Sequence, residues 1–274
     1  MSIYKCPVCA EPLTIEKRRF VCANNHSFDR AKEGYVNLLL ANQKNSADPG
    51  DSKAMVRARR DFFSGGYYAP LADALNTTIT ERLSDDFILL DVGCGEGYFL
   101  WALRESLDER ACHLHGTDIS KHAVRYAAKR DPASTFTVAS IYDLPLLENS
   151  VDCLTRIFAP KSYSEFARVL KDDGTLITVV PANDHLREIK AIIYDTPEAH
   201  TPETDPERDT LFMEQDSIRV RYETTVTGNA DIMNLLTMTP YYWHLSDDAK
   251  ATFQQMDSLS ITVDCLVSVY TKKH

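Results

Sequence analysis

The chain has 274 residues, 44% hydrophobic and 26% charged, the balance of an ordinary folded protein rather than a disordered or fibrous one. That length suits one large domain or a small one beside a large one. No apolar run nears the ~20 residues of a membrane-spanning helix, the longest being Tyr35 to Ala41 and Phe87 to Val92. No positive segment followed by an apolar stretch opens the chain, so a cytoplasmic protein with reduced thiols is expected. The net charge of −10 is unevenly spread: residues 1–60 hold 11 Lys and Arg against 6 Asp and Glu, and the remainder 19 against 34. The basic end is a candidate polyanion surface, with a solvated basic face as the ordinary alternative.

The first forty residues carry Cys6-Pro7-Val8-Cys9 and, twelve residues on, Cys22-Ala23-Asn24-Asn25-His26. The pattern C-x2-C-x12-C-x3-H is zinc-ligand spacing. Cys6, Cys9, Cys22 and His26 would close a tetrahedron with no open position, hence one structural Zn2+ per chain. A module this short buries too little apolar surface to fold without it. Cys94, Cys112, Cys153 and Cys265 have no partner spacing and read as core residues.

From residue 87 the pattern alternates short apolar runs with amphipathic stretches, as α/β folds do. Strands are predicted at 87–92, 112–117, 135–138, 151–157, 175–180, 218–225 and 261–270. Helices are predicted at 71–83, 98–106, 120–130, 164–170, 184–194 and 230–238. The acidic, Pro-containing stretch from Thr196 to Asp209 reads as a loop or insertion. The first of these strands runs into Asp91-Val92-Gly93-Cys94-Gly95-Glu96-Gly97, a Gly-rich turn where ligands bind. Gly93, Gly95 and Gly97 let the backbone turn tightly against a nucleoside cofactor, and helix N-terminal amides can meet its carboxylate. Asp118 ends the next strand and can accept from ribose hydroxyls.

A dehydrogenase would show G-x-G-x-x-G; here the spacing is G-x-G-x-G after an acid, with Tyr98 where the third glycine would stand. This resembles class I methyltransferases, and Leu144-Pro145 followed by Ser150-Val151-Asp152 supports the likeness. The acid that commonly receives the adenine amine falls at Ser140, and Asp143 comes three residues late. The expected architecture is therefore a Rossmann-like methyltransferase domain, residues 71–274. A zinc-binding, RNA-recognition module at 1–40 and a linker with a basic helix at 41–70 would precede it.

With these residues placed, the chain resembles the bacterial 23S ribosomal RNA (guanine-N1)-methyltransferases over nearly its whole length. The likeness rests on the zinc quartet, Ala31 to Leu39, Asp48 to Ser52 with Arg57 to Arg60, Gly66 to Leu71, Asp91 to Tyr98, Arg156 to Pro160 and Pro181 to Lys190. It implies S-adenosylmethionine as cofactor, methylation of guanine N1 in a domain II hairpin of 23S rRNA, and a homodimer. It also implies that Tyr68, Gly95, Glu96 and His185 line the cofactor pocket.

Guanine N1 carries a proton that must leave, so a base or a stabiliser at O6 is needed. His185 is a candidate proton acceptor or a cofactor contact, or simply a helix-start residue beside Asn183 or Asp184. Phe158-Ala159-Pro160 lacks the Asn-Pro-Pro-aromatic element of exocyclic amine methylation, and no cysteine there offers the cytosine C5 route. Lys17, Arg18, Arg19, Arg57, Arg59 and Arg60 are candidate RNA contacts, although an exposed helix face explains the last three nearly as well. Tyr67 and Tyr68 suit a stacking platform, a lid or core packing. Two rivals remain: a small-molecule methyltransferase of the quinone-biosynthesis kind, and a zinc-containing RNA-binding protein with a vestigial pocket.

Overall fold

The computed structural model describes residues 2–44, 46, 49–107, 110–194 and 205–273. Three short antiparallel strands come first: β1 (Leu13–Ile15), β2 (Arg19–Cys22) and β3 (Ser27–Asp29), in the order β1-β2-β3. β4 (Val36–Asn37) follows, then α1 (Lys53–Ser64), capped by the Ser52 hydroxyl accepting from Met55 N–H, and α2 (Ala69–Thr80). The alternating part is β5 (Phe87–Val92), α3 (Tyr98–Ser106), β6 (Cys112–Asp118), α4 (Lys121–Arg130), β7 (Thr135–Val138), β8 (Val151–Ile157) and α5 (Tyr163–Val169). It continues through β9 (Leu170–Pro181), α6 (Arg187–Ile193), α7 (Pro206–Leu211), β10 (Phe212–Thr227), α8 (Asn229–Thr237), α9 (Asp247–Gln254) and β11 (Ser258–Lys272).

The eight-stranded sheet has the order β10-β11-β9-β8-β5-β6-β7-β4. From β4 to β9 all pairings are parallel, while β11 is antiparallel to β9 and to β10. The order reverses at β5, which lies between β6 and β8, and the carboxyl end of such a strand is where sheets of this kind take ligands in a crevice. The inner strands are buried on both faces and read accordingly as continuous apolar runs, such as Phe87-Ile88-Leu89-Leu90.

Strands 87–92, 135–138 and 151–157 and helix 98–106 fall where the sequence pattern puts them. The helix expected at 184–194 starts later, at Arg187, because Leu186 is left-handed at φ 54° and cannot sit inside a right-handed helix. Of the loop expected at 196–209, residues 196–204 lie outside the described residues. Asp205 caps α7 by accepting from Glu207 and Arg208 N–H, so its end is helical.

Two apolar clusters hold the molecule together. One packs α1, α2 and α3 against the sheet; the other joins Tyr4, Leu13, Phe20, Val36 and Leu38 to Leu90, Leu154, Tyr163 and Phe166. The N-terminal module therefore has no core separate from the large domain. β4 continues the main sheet beyond β7, and the buried Tyr4 hydroxyl is hydrogen-bonded to His115 Nδ1 of β6 at 3.0 Å.

Candidate functional site

The zinc quartet is assembled by two tight turns. Ala10 N–H returns to Cys6 C=O at 2.8 Å with Ala10 at φ 61°, and Asn25 N–H returns to Cys22 C=O at 3.0 Å with Asn25 at φ 63°. The ligand atoms of Cys6, Cys9, Cys22 and His26 lie within 4.8 Å of one another. His26 Nδ1 is 3.6, 3.3 and 3.5 Å from the Cys6, Cys9 and Cys22 sulfurs, and Cys9 and Cys22 Sγ are 3.7 Å apart. A tetrahedral zinc with ordinary bond lengths has edges of about 3.8 Å between sulfurs and about 3.5 Å from sulfur to nitrogen. The quartet fits the ion. A hydrogen bond from the Asn24 side chain, followed by one involving the Glu11 backbone, pulls the Cys9 thiol below its usual range, toward the ligating thiolate. All seven cysteines are free thiols.

The second site lies at the carboxyl end of β5. Gly93 N–H and Cys94 N–H both donate to Thr117 C=O, at 2.8 and 3.0 Å, tying the turn to β6. A Cβ on Gly97, at φ 83°, would stand 2.8 Å from Ala127 Cβ, and one on Gly93 would stand 2.5 Å from Ala159 Cβ. Helix α4 and the turn after β8 thus press on the glycines from two sides. At Gly95 the corresponding direction is open as far as Arg59 Nη1, 3.7 Å away. Asp118 accepts from Gly95 N–H at 3.0 Å and Ser120 N–H at 2.8 Å, so its half-buried carboxylate is aimed before any ligand arrives.

Buried Asp91 accepts from Thr155 Oγ1 at 2.8 Å, and burial raises its carboxyl to about 7, with the Asp118 charge adding to the effect. An open glycine backbone, an aimed carboxylate and a cation at the turn fit S-adenosylmethionine: the Asp118 carboxylate toward ribose hydroxyls, the turn toward the amino-acid end. Glu96 uses its side chain differently. It is 1% exposed and ion-paired to Arg130 at 2.6 Å, so the turn has only the Glu96 backbone to offer.

Tyr68, before α2, and His185, after β9, meet across the same edge. Tyr68 Oη is 3.4 Å from His185 Nε2, while Asp264 N–H donates to His185 Nδ1 at 3.3 Å. Ser140 follows β7, where its hydroxyl accepts from Tyr142 N–H at 3.2 Å. Asp143 is drawn away, accepting from Gln43 Nε2 at 2.8 Å. The structure thus gathers Tyr68, Asp91, Gly93, Gly95, Gly97, Asp118 and His185 along one edge of the sheet, with Ser140 at its β7 end.

The candidate RNA contacts divide. Lys17 and Arg18 project from the β1–β2 hairpin, exposed and without an ion-pair partner among the described residues. Arg19 pairs with Glu16 at 2.7 Å, and Arg57 lies 3.7 Å from Asp61. Arg60 also pairs with Asp61 and lies over the Tyr126 ring at 4.9 Å. Arg59 pairs with Asp51 and donates to Met238 C=O at 3.3 Å, beside the glycine turn. Sequence spacing alone misses the places of Arg59, Asp264 and Phe158, because each is set by strands or helices distant in sequence. The signal for Phe158 was the Phe-Ala-Pro turn closing a core strand.

Fold and site together define an S-adenosylmethionine-dependent methyltransferase of class I carrying a zinc ribbon. Residues 4–47 match the zinc-ribbon family described as "RlmA, N-terminal", and residues 83–238 match the family described as "Methyltransferase domain". YxjB of Bacillus subtilis, provisionally named a 23S rRNA (guanine-N1)-methyltransferase, is 34% identical over 96% of this chain and 95% of its own. The 23S rRNA (guanine(748)-N1)-methyltransferase of Streptomyces fradiae is 38% identical over 68% of this chain and 65% of its own. A chain from the complex between the Haloferax volcanii Trm112 methyltransferase activator and a methyltransferase shares the fold. Its TM-score is 0.50 at 18% identity, over 82% of this chain and 100% of that one. The chain belongs to the family of the 23S rRNA (guanine-N1)-methyltransferases.

Proposed function

We propose that this chain transfers a methyl group from S-adenosylmethionine to N1 of one guanine in 23S rRNA, in a domain II hairpin. The observation that carries the reading is that the likeness to YxjB runs through both the zinc ribbon and the glycine turn. A quinone methyltransferase has no need of the ribbon, and a vestigial pocket has no need of an aimed Asp118. Acting on ribosomal RNA also places the protein in the cytoplasm.

When bound, S-adenosylmethionine supplies the electrophilic methyl group. The chain's own residues position the partners: Asp118 and Ser140 orient the nucleoside end, and the 93–97 backbone the amino-acid end. N1 lies on the Watson–Crick edge, so the guanine has to be unpaired or flipped to reach the crevice. His185 lines the pocket in this reading. Its Nδ1 lone pair already takes the Asp264 amide hydrogen, which leaves the neutral ring's proton on Nε2, facing Tyr68, and weighs against a proton-acceptor role. Phosphate contacts fall to Lys17 and Arg18, whereas Arg59, paired beside Gly95, serves the cofactor edge.

The test is a 23S rRNA transcript incubated with the protein and S-adenosylmethionine, then read by reverse transcription. One stop at a single guanine, dependent on the cofactor, is expected because N1-methylation blocks pairing. Methyl incorporation without any such stop would overturn the reading. Homodimerisation, implied by family resemblance, belongs to the same proposal; light scattering at the single-chain mass of 30.9 kDa would remove it.

A further inference from the structure

Phe158 stands at the carboxyl end of β8 in a conformation that bulky side chains avoid. Its φ is 52°, and Leu186, beside the ring it packs on, is left-handed too, at φ 54°. Non-glycine residues in this region cost free energy and persist where the surroundings impose them, often at functional sites. Here the surroundings are explicit. Phe158 N–H donates to Val179 C=O at 3.1 Å. Arg156 Nε donates to the carbonyls of Ala159 at 2.7 Å and Pro160 at 3.3 Å, and Ala159 lies against Gly93.

The clamped turn turns an aromatic ring outward. The ring stacks on His185 at 5.9 Å and 27°, meets Tyr68 edge-on at 6.4 Å, is tilted against Phe99 at 6.4 Å, and leaves the residue 40% exposed. The strained turn leaves part of an apolar ring in water even though three aromatic side chains pack on it. It offers a planar face beside the glycine turn.

Strand order decides what that face is for. β8 and β6 flank β5 on opposite sides, and β7 lies beyond β6. If Ser140 after β7 receives the cofactor's adenine, as proposed above, the adenine would lie on the far side of the turn from Phe158. A second planar group has to lie near Phe158 if N1 is to meet the methyl group at the turn. We infer that Phe158 is the stacking platform for the target guanine, holding the extruded base with N1 toward the Gly93–Gly97 turn. This rests on the proposed function and deepens it: a π-face accepts any base, so Phe158 supplies position and leaves the choice of guanine to hydrogen bonds.

Steady-state methylation of a 23S rRNA transcript, with S-adenosylmethionine affinity measured separately by calorimetry, tests it in wild type, Phe158→Leu and Phe158→Trp. Phe158→Leu keeps an apolar side chain but removes the π-face. It should lower kcat/KM for rRNA by about 5- to 150-fold, the worth of one base stacked on an aromatic ring, with cofactor affinity within about twofold of wild type. Phe158→Trp should retain kcat/KM. Equal activity of Phe158→Leu and wild type would overturn the inference, and so would a matching loss of cofactor affinity, the mark of a purely structural residue. If wild type itself leaves the transcript unmethylated, the proposed function falls and this inference with it.

Discussion

Gly97 and Gly66 share a left-handed backbone, at φ 83° and 78°, but not the same surroundings. A Cβ on Gly66 meets nothing within 4 Å, whereas on Gly97 it meets Ala127 Cβ at 2.8 Å and Cα at 2.9 Å. Gly66→Ala should then cost only the backbone penalty, about 1–2 kcal/mol. Gly97→Ala should add about 1–3 kcal/mol of overpacking between the turn and α4. Denaturant unfolding of the two variants measures the difference; equal costs would show that the glycine turn is not packed as described. Asp91 gives a second prediction. Its carboxyl, ordinarily near 3.8, is raised to about 7 by burial, so the folded protein keeps a proton that the unfolded chain has lost. The stability it contributes is present below about pH 4 and is lost as pH rises toward 7. Asp91→Asn still accepts from Thr155 and carries no charge, so its melting temperature should exceed wild type at pH 8 and match it at pH 4. A uniform difference across pH would remove the buried-carboxyl argument.

The zinc ribbon is stitched to the large domain by several contacts, among them β4 on β7, the antiparallel bridge of Tyr4 to Leu146, the Tyr4–Phe20 pair inside the second apolar cluster, and the Tyr4–His115 hydrogen bond. Zinc loss should therefore lower the stability of the whole molecule rather than melt a detached tip. Scanning calorimetry of Cys22→Ala is expected to show one transition at reduced temperature, with rRNA methylation abolished. A small early transition followed by an unmoved main one would establish independent folding units. The same contact carries a pH signature. Burial lowers the His115 imidazole to about 4, so the neutral ring's contribution is present above about pH 6.5 and is lost as pH falls toward 4. His115→Gln should flatten that acid limb of the stability curve, and an unchanged slope would assign it to other groups.

Across the molecule the net charge of −10 conceals a basic end, and tertiary structure divides that end again. Arg59 and Arg60 of α1 are paired to Asp51 and Asp61, and exposed Arg57 lies 3.7 Å from Asp61, which leaves Lys17 and Arg18 on the hairpin tip as the candidates with no ion-pair partner among the described residues. Each phosphate contact releases counterions and steepens the salt dependence of binding. Lys17→Gln with Arg18→Gln should weaken rRNA binding uniformly across sequences and reduce the slope of log K against log salt by about 2. Arg60→Gln should leave that slope alone. The reverse result would return the phosphate surface to α1.

Local signals determined much of this: the zinc quartet follows from cysteine spacing, and the cofactor turn from glycines after a buried acid. Four elements lie at their expected bounds because alternating apolar runs of strand and helix length leave little choice. These features are short-range, and each is complete within about thirty residues. Tertiary structure alone decided which charges remain free, since Arg59 meets Met238 across 179 positions and Asp51 comes from outside the helix. It also decided that His185 spends its Nδ1 lone pair on Asp264, 79 positions away. The left-handed Phe158, clamped by Arg156 and Val179, and the merging of the ribbon with the main core arise in the same way. Hydrogen bonds and apolar burial act on neighbours in space, and neighbours distant in sequence leave no periodicity to read.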